Sequence, residues 1–177
     1  EGKIRFIGLS NETPWGLSSF LKASEEFDLP RIVSVQNAYN LLSRVYETGM
    51  SEFAFREEVG LLAYSPLAQG YLTGKYLNGA RPEGARTTLF DRGQRYETRF
   101  SNKIIEQYIS LAKKYGLDPA EMALAFVNHQ NFVTSNIIGA TNMEQLKTAV
   151  QSFSIQLSEE IINAINLIHL ESPNPCP

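Results

Sequence analysis

Three short apolar runs recur at nearly equal intervals along the chain, and their spacing constrains the fold more than any other feature. They predict strands over Ile4–Ser10, Ile32–Asn37 and Leu61–Ser65, whose first residues lie 28 and 29 positions apart. That interval is the length of one strand–helix unit. Each run is apolar on successive residues, which is typical of a parallel strand covered on both faces. A fourth strand is predicted over Asn136–Ala140.

The segments between the strands have helical periodicity. Helices are predicted over Leu17–Phe27, Ser51–Val59, Asn102–Tyr115, Asn142–Phe153 and Ser158–Leu170, and another starts at Asp118. Asp118 precedes Pro119 and is followed by Glu121, a pattern typical of a capped helix start. Strands that alternate with helices predict an α/β fold with a parallel sheet. The aromatic residues Phe6, Trp15, Phe20 and Phe126 are expected in the core or between helices.

The alternation stops between Leu67 and Phe100. These 34 residues are rich in Gly, Pro, Arg and Tyr and show little periodicity. Loops of this length are uncommon in compact domains unless they bind or cover a ligand. We therefore expect residues of about 67–100 to form a functional loop.

Composition excludes several classes of protein. The net charge of −3 argues against a nucleic-acid module, and without a run of about 18 apolar residues we predict no membrane span. Cys176 is the single cysteine, so a disulfide or a cysteine-based metal site within one chain is ruled out, which fits a reducing, cytoplasmic setting. His129 and His169 have no partner at metal-ligand spacing, and we predict no metal site.

Polar residues follow each predicted strand. Ser10-Asn11, Gln36-Asn37, Tyr64-Ser65 and Gly139–Asn142 stand at these ends. Ligands of parallel α/β proteins bind at the carboxyl ends of the strands. Amides and hydroxyls suit a neutral carboxamide, and Tyr64 offers a ring for stacking. Because these ends include no Asp, Glu or His, we expect them to hold a ligand and not to transfer protons.

Two further features could bind phosphate, each with a simpler alternative. Thr141-Asn142-Met143-Glu144 reads as a capping box, whose helix N-terminus could receive a phosphate or be an ordinary cap. Lys75 and Arg86 could clamp phosphate oxygens from the long loop, or be solvated.

Four strings of residues, in matching order and spacing, resemble the aldo-keto reductases, and most closely the branch of Tas-like bacterial reductases and potassium-channel β subunits. The strings are Gly2–Asn11, Gln36–Leu42, Ala63–Gly70 with Leu72–Tyr76, and Ile138–Leu146. The resemblance implies a (β/α)8 barrel with a cofactor across its C-terminal mouth. Because 177 residues are fewer than the ~250 of a whole barrel, residues 1–177 are expected to be its C-terminal half, with strands five to eight and a cofactor-covering loop at about 67–100.

The resemblance also implies an NADP(H) site. Its carboxamide would contact Ser10, Asn11 and Gln36, and Tyr64 would stack on the nicotinamide ring. The remaining implied positions are Ser65, Leu67 and Gly70 along the pyrophosphate, Lys75 and Arg86 at the phosphates, and Thr141 and Gln145 at the 2′-phosphate and adenine. The family often has Asn at the position of Ala149, so adenine contacts are expected to be weaker here.

The catalytic residues of the family are expected upstream of Glu1. A Tyr acid, its Lys and Asp partners and a His come from the first four strands, and no tyrosine here has the family's Asp-Thr-Ala-x-x-Tyr context. The chain alone is therefore expected to be inactive, and to need the N-terminal half or a second copy to close the barrel. Three interpretations stay open: part of a reductase of aldehydes and ketones, a catalytically inactive cofactor-binding or structural remnant, and a phosphate-ligand domain with only architectural likeness.

Overall fold

The chain forms a four-stranded parallel sheet whose spatial order follows the chain order. In the computed structural model, which describes residues 2–90 and 94–176, the strands are β1 (Ile7–Ser10), β2 (Ile32–Ala38), β3 (Gly60–Tyr64) and β4 (Val133–Ile137). Each strand pairs in parallel with the next one in sequence. The predicted parallel α/β arrangement is thus confirmed, and stepwise parallel order is what a segment of a (β/α)8 barrel requires.

Seven helices connect or follow the strands in the described residues. They are α1 (Pro14–Glu26), α2 (Met50–Arg56), α3 (Arg86–Phe90), α4 (Ser101–Lys114), α5 (Pro119–Asn128), α6 (Met143–Gln151) and α7 (Glu159–Glu171). The predicted cap at Asp118 is confirmed, because its carboxylate accepts from the amides of Ala120 and Glu121 at 2.8 and 3.1 Å. Gly116 follows α4 with φ of +68°, a conformation that glycine adopts without strain.

Only one face of the sheet is covered by the helices of the described chain. Val35 and Leu61 pair across β2 and β3 and are fully buried, because they face the helices. Gln36 and Leu62 pair on the opposite face, where Gln36 is exposed and Leu62 partly exposed. We call this second face the open face. It is bounded by two edge strands, β1 and β4.

The first and last predicted strands were misplaced. β1 begins three residues later than predicted, and Ile4 before it is 74% exposed. β4 lies three residues earlier than predicted, over Val133–Ile137. Thr134 and Ser135 are exposed in this edge strand, so its sequence lacks the apolar run of a strand covered on both faces.

Three of the four aromatic residues that were predicted to pack in the core or between helices are exposed. Phe6, Trp15 and Phe20 are 73%, 81% and 46% exposed, whereas Phe126 is buried as predicted. The three exposed rings belong to the first strand–helix unit, which has a neighbour on one side only. An apolar residue type predicts burial only where a second element is there to cover it.

The long loop is ordered by a row of three tyrosine rings. Tyr76 and Tyr71 have ring centroids 4.6 Å apart, and Tyr71 and Tyr96 are 5.9 Å apart. The Tyr71 hydroxyl donates to Glu97 at 2.6 Å, and burial with this bond raises the pKa of Tyr71 to about 12. Short helical turns fill much of the loop, although its sequence shows little periodicity. Residues 91–93 of the predicted loop lie outside the described residues.

Arg44 ties the C-terminal helix to the loop that follows β2. Its guanidinium donates to Glu47 at 2.7 and 2.8 Å and to Asn166 of α7 at 2.9 Å. Its backbone amide donates to the Asn174 side chain at 2.6 Å, and the Cys176 amide donates to the carbonyl of Leu42 at 3.1 Å. The C-terminal tail is therefore packed against the carboxyl-end loops.

The two leucines at the centre of β3 test this one-sided burial. We expect Leu61→Ala to lower the free energy of unfolding by about 2–5 kcal/mol, as for a buried leucine. Leu62→Ala should cost clearly less, because Leu62 is partly exposed on the open face. Urea unfolding followed by circular dichroism at one protein concentration measures both. Equal losses would mean that the open face is covered in solution.

Candidate functional site

The carboxyl ends of three strands bring four of the predicted site residues onto the open face. Ser10 pairs with Gln36 across β1 and β2, and Tyr64 at the end of β3 pairs with Ala38. Parallel strands end at the same edge of a sheet, so these side chains share one rim. We call Ser10, Asn11, Gln36 and Tyr64 the rim cluster.

Hydrogen bonds join the members of the rim cluster. The Tyr64 hydroxyl donates to Asn11 Oδ1 at 2.7 Å, and Asn11 Nδ2 donates to Ser10 Oγ at 3.1 Å. The Asn11 backbone amide donates to the carbonyl of Gln36 at 3.0 Å. Asn11 has φ of +55°, a left-handed conformation that asparagine tolerates better than most residues. The strand ends thus form one connected polar surface with a partly exposed ring.

A buried amide that sequence reasoning missed holds the turn after β3. Asn40 is fully buried, and its Nδ2 donates to the carbonyl of Ser65 at 3.0 Å and to the Tyr96 hydroxyl at 3.4 Å. Ser65 has φ of +55°, and the Leu67 carbonyl accepts from the Gly70 amide at 2.8 Å. The predicted positions Ser65, Leu67 and Gly70 therefore lie on one tight turn. The sequence gives one indication of this role of Asn40, its place in the string Gln36–Leu42.

Gly70 and Lys75 lie against each other. Gly70 has φ of +98°, and a Cβ placed on it would lie 2.8 Å from Lys75 Cε and 3.0 Å from Lys75 Nζ. The ammonium also lies 5.2 Å from the centroid of the Tyr76 ring. The missing side chain of Gly70 thus leaves space beside the turn for the cation, and the exposed Lys75 can still reach a ligand.

Arg86, the second predicted cation, begins α3 close to Tyr76. The Tyr76 hydroxyl accepts from the backbone amide of Thr87, the next residue, at 3.2 Å. Tyr76 therefore contacts both Lys75 and the start of α3. The side chain of Arg86 is exposed.

Thr141 and Gln145 also contact each other, but the predicted capping box is wrong. Asn142 is the N-cap of α6, and its Oδ1 accepts from the Gln145 amide at 2.9 Å. Gln145 Oε1 accepts from the amide and hydroxyl of Thr141 at 2.9 and 3.2 Å. The cap lies one residue later than predicted because Gln145, not Glu144, reaches back. Both residues follow β4 at the same sheet edge, and Ala149 is buried in α6.

Sequence reasoning also missed Arg95, which reaches the rim cluster from the long loop. Its Nη1 lies 3.5 Å from the Tyr64 hydroxyl oxygen. In the sequence, Arg95 is marked only by its place before an aromatic residue, Tyr96. In the structure the ring of Tyr96 is buried.

The donor set fits a long ligand with a neutral end and an anionic end. The rim cluster offers amides, hydroxyls and one ring, whereas Lys75 and Arg86 offer positive charge further along the loop. A nicotinamide dinucleotide has this distribution of groups. The rim cluster itself has neither a carboxylate nor an imidazole, so it can bind a carboxamide but is poorly suited to proton transfer. Among the described residues no three His, Cys, Asp or Glu side chains are grouped as metal ligands would be, and no described helix is long and apolar enough to cross a membrane.

Comparisons with known proteins identify the family of the chain. The model of the Aldo/keto reductase family matches residues 1–169. The protein "Protein tas" of Escherichia coli (strain K12) is 51% identical over 176 residues, which cover 99% of this chain and 51% of that protein. An "Aldo-keto reductase" of Babesia bovis is 34% identical over 99% of this chain and 64% of its own length. An "L-glyceraldehyde 3-phosphate reductase" of E. coli (strain K12) is 32% identical over 86% of this chain and 45% of its own length.

The likeness extends along nearly all of this chain, which spans about half the length of the Tas protein. The interpretation of a phosphate-ligand domain with only architectural likeness is therefore wrong. A family model that matches almost every residue, together with relatives that include reductases, shows that the chain belongs to the aldo/keto reductase family.

Proposed function

We propose that this chain is the cofactor-binding part of an NADP(H)-dependent oxidoreductase that reduces aldehydes or ketones to alcohols. The observation that carries the proposal is the rim cluster, in which the Tyr64 hydroxyl donates to Asn11 and the Asn11 side chain donates to Ser10. In this proposal Ser10, Asn11 and Gln36 hold the carboxamide. Their present bonds to one another are exposed, so they can be exchanged for bonds to a ligand at little cost.

Tyr64 has the position of a stacking platform for the nicotinamide ring. Its hydroxyl is bonded to Asn11, which fixes the orientation of its own ring. A ring stacked on Tyr64 is covered on one side and reactive on the other. The reduced nicotinamide, when bound, supplies a hydride to the carbonyl carbon of the substrate.

The phosphate end of the cofactor is assigned to the tight turn after β3. Ser65, Leu67 and Gly70 would follow the pyrophosphate, and Lys75 and Arg86 would neutralise its charge. The mutual contact of Gly70 and Lys75 supports this assignment. Thr141 and Gln145 would meet the 2′-phosphate and the adenine, supported by their position after β4 and by the N-terminus of α6.

Proton donation is assigned to another part of the protein. The rim cluster has no carboxylate and no imidazole, and the hydroxyl hydrogen of its one tyrosine, Tyr64, is donated to Asn11. We infer that the catalytic tyrosine with its lysine, aspartate and histidine partners comes from the other half of a (β/α)8 barrel. The open face and the edge strands β1 and β4 support a partner that adds strands on both sides, either that half or a second copy. The strands of this chain would then be the fifth to eighth of the barrel.

A catalytically inactive protein that binds the cofactor is the alternative. The neutral rim cluster favours it as much as it favours a reductase, because binding alone needs no acid.

The first test removes the proposed stacking ring. We expect the chain alone to bind NADPH weakly, and Tyr64→Ala to weaken that binding a further three- to tenfold or so, about what the loss of one aromatic contact costs. Tyr64→Phe should keep most of the affinity, because the ring remains. Tyr115→Ala is the matched control, since its hydroxyl bonds Glu160 between α4 and α7. Titration of NADPH fluorescence measures all four proteins. Equal losses from Tyr64→Ala and Tyr115→Ala would contradict the proposed position of the nicotinamide.

The second test separates two glycines that share a left-handed backbone. Gly70 and Gly79 have φ of +98° and +76°, but only a Cβ at Gly70 would displace the Lys75 ammonium. Both alanine variants should lose about 1–2 kcal/mol of stability. Only Gly70→Ala should weaken NADPH and NADH alike, about tenfold or more, because a charge-assisted bond to the shared pyrophosphate is lost. Calorimetric titration measures both, and an equal affinity loss in Gly79→Ala would refute the assignment.

The third test separates the reductase from the inactive alternative. We expect the chain alone to show no NADPH oxidation with 4-nitrobenzaldehyde. Mixed with the part of the E. coli Tas protein that it does not match, it should show turnover at 340 nm. Turnover by the chain alone would mean that it contains its own acid. A stable complex with no turnover would favour the inactive alternative.

A further inference from the structure

Asn78 and Gly79 form an exposed Asn-Gly pair in the long loop, the one such pair in the sequence. Both residues have a left-handed backbone, with φ of +56° and +76°. A Cβ built on Gly79 would meet no described atom within 4 Å, so the backbone of the pair has room to rotate. The side chain of Asn78 is therefore open to attack by the backbone amide that follows it.

The reaction that this setting favours takes place within the chain. The backbone nitrogen of Gly79 loses its proton and attacks Cγ of Asn78. The new C–N bond closes a five-membered succinimide ring, and the side-chain nitrogen leaves as ammonia. Water then opens the ring at one of its two carbonyls, which gives aspartate or isoaspartate. One water is consumed and one ammonia is released, and glycine has no side chain to hinder the attack.

Asn11 shows that exposure and a left-handed backbone are not sufficient for this reaction. It is exposed and has almost the same φ, +55°. However, the amide nitrogen of Glu12, which would have to attack, donates to Asn37 Oδ1 at 3.2 Å. The Asn11 side chain accepts from the Tyr64 hydroxyl at 2.7 Å. Attack at Asn11 would break both hydrogen bonds, so the open glycine distinguishes Asn78.

The Asn-Gly pair lies in a turn on which the geometry of the long loop depends. The Ala80 amide donates across this turn to the carbonyl of Leu77 at 3.1 Å. The next residue, Arg81, donates to Glu97 at 2.6 Å, and Glu97 also accepts from the Tyr71 hydroxyl of the tyrosine row. An isoaspartate adds a methylene to the backbone inside the turn. The hydrogen bond between Ala80 and Leu77 therefore cannot keep its present geometry.

We propose that Asn78 is a site of spontaneous deamidation, and that its conversion to isoaspartate opens the turn between Leu77 and Ala80 and loosens the long loop. Lys75 precedes this turn and lies 5.2 Å from the centroid of the Tyr76 ring. Deamidation also adds a negative charge to the loop, which opposes the binding of an anionic cofactor. A weaker affinity of the aged chain for NADPH follows, and this consequence alone rests on the proposed function.

The experiment follows the modification itself. The chain is incubated at pH 6.5 and at pH 8.5, digested in acid and mapped by mass spectrometry, with enzymatic methylation to detect isoaspartate. We expect the peptide with Asn78 to gain the mass of aspartate within days, and faster at pH 8.5, because the attacking nitrogen must lose its proton. Asn78→Gln and Gly79→Ala should both slow the reaction strongly, since glutamine closes a larger ring and alanine hinders the attack. The peptide with Asn11 is the internal control and should stay unchanged.

Hydrogen exchange tests whether the turn opens. In the aged chain the amide of Ala80 should exchange about two- to tenfold faster than in the fresh chain, as for the loss of one hydrogen bond. Asn78→Asp is the matched control, because it adds the charge without lengthening the backbone, and it should keep the slow exchange. Equal exchange in the aged and fresh chains would refute the opening of the turn.

The outcomes distinguish this inference from the proposed function. An unchanged mass at Asn78 after incubation at pH 8.5, or an equal change at Asn11, would refute the inference whatever the chain binds. Fast exchange with unchanged affinity for NADPH would retain the inference and contradict the assignment of the cofactor phosphates to this loop. If the fresh chain binds no NADPH, the proposed function fails alone, because the mass and exchange measurements still decide the inference.

Discussion

The parallel pairing of four strands in chain order determines where every polar group of interest lies. Since all four strands point the same way, their carboxyl ends and the residues that follow share one edge of the sheet. Burial of Val35 and Leu61 against the helices sets the register, because a shift by one residue would turn each strand over. The same register turns Gln36 and Tyr64 toward the open face. Packing on one side of the sheet thus positions the polar groups on the other.

A single buried amide connects this sheet to the long loop. Asn40 donates to Ser65 and Tyr96, and its Oδ1 accepts from the amides of Leu42 and Ser43 at 2.9 and 3.1 Å. A side-chain amide has two donor hydrogens and two acceptor lone pairs, so all four are used. An apolar residue here would leave buried partners without bonds, at about 1–3 kcal/mol for each group. Asn40 therefore holds both the turn after β3 and the side chain of Tyr96 at the same edge of the sheet.

The sequence predicted the parts of the fold that repeat and missed those that depend on contacts between distant segments. The strand–helix interval follows from burial along a single element, so β2 and β3 were predicted within one residue of their observed bounds. Trp15 and β4 were misjudged because their surroundings at the sheet edges differ from those of central elements. Ser10, Asn11, Gln36 and Tyr64 could be predicted to meet, since strand direction alone places them on one edge. Arg95 could not be, because its position depends on how Tyr96 packs after an aperiodic loop.

The C-terminal tail completes the anchoring of the loop and thereby affects the rim from a distance. Arg44 holds the tail through Asn174, and Thr98 bonds the carbonyl of Pro175. Thr98 lies two residues beyond Tyr96, so the tail, the long loop and the segment after β2 restrain one another. The rim cluster is exposed and its own hydrogen bonds are worth little in water. Its geometry therefore depends on the buried contacts beneath it, and a ligand that exchanges the exposed bonds at the rim leaves those contacts intact.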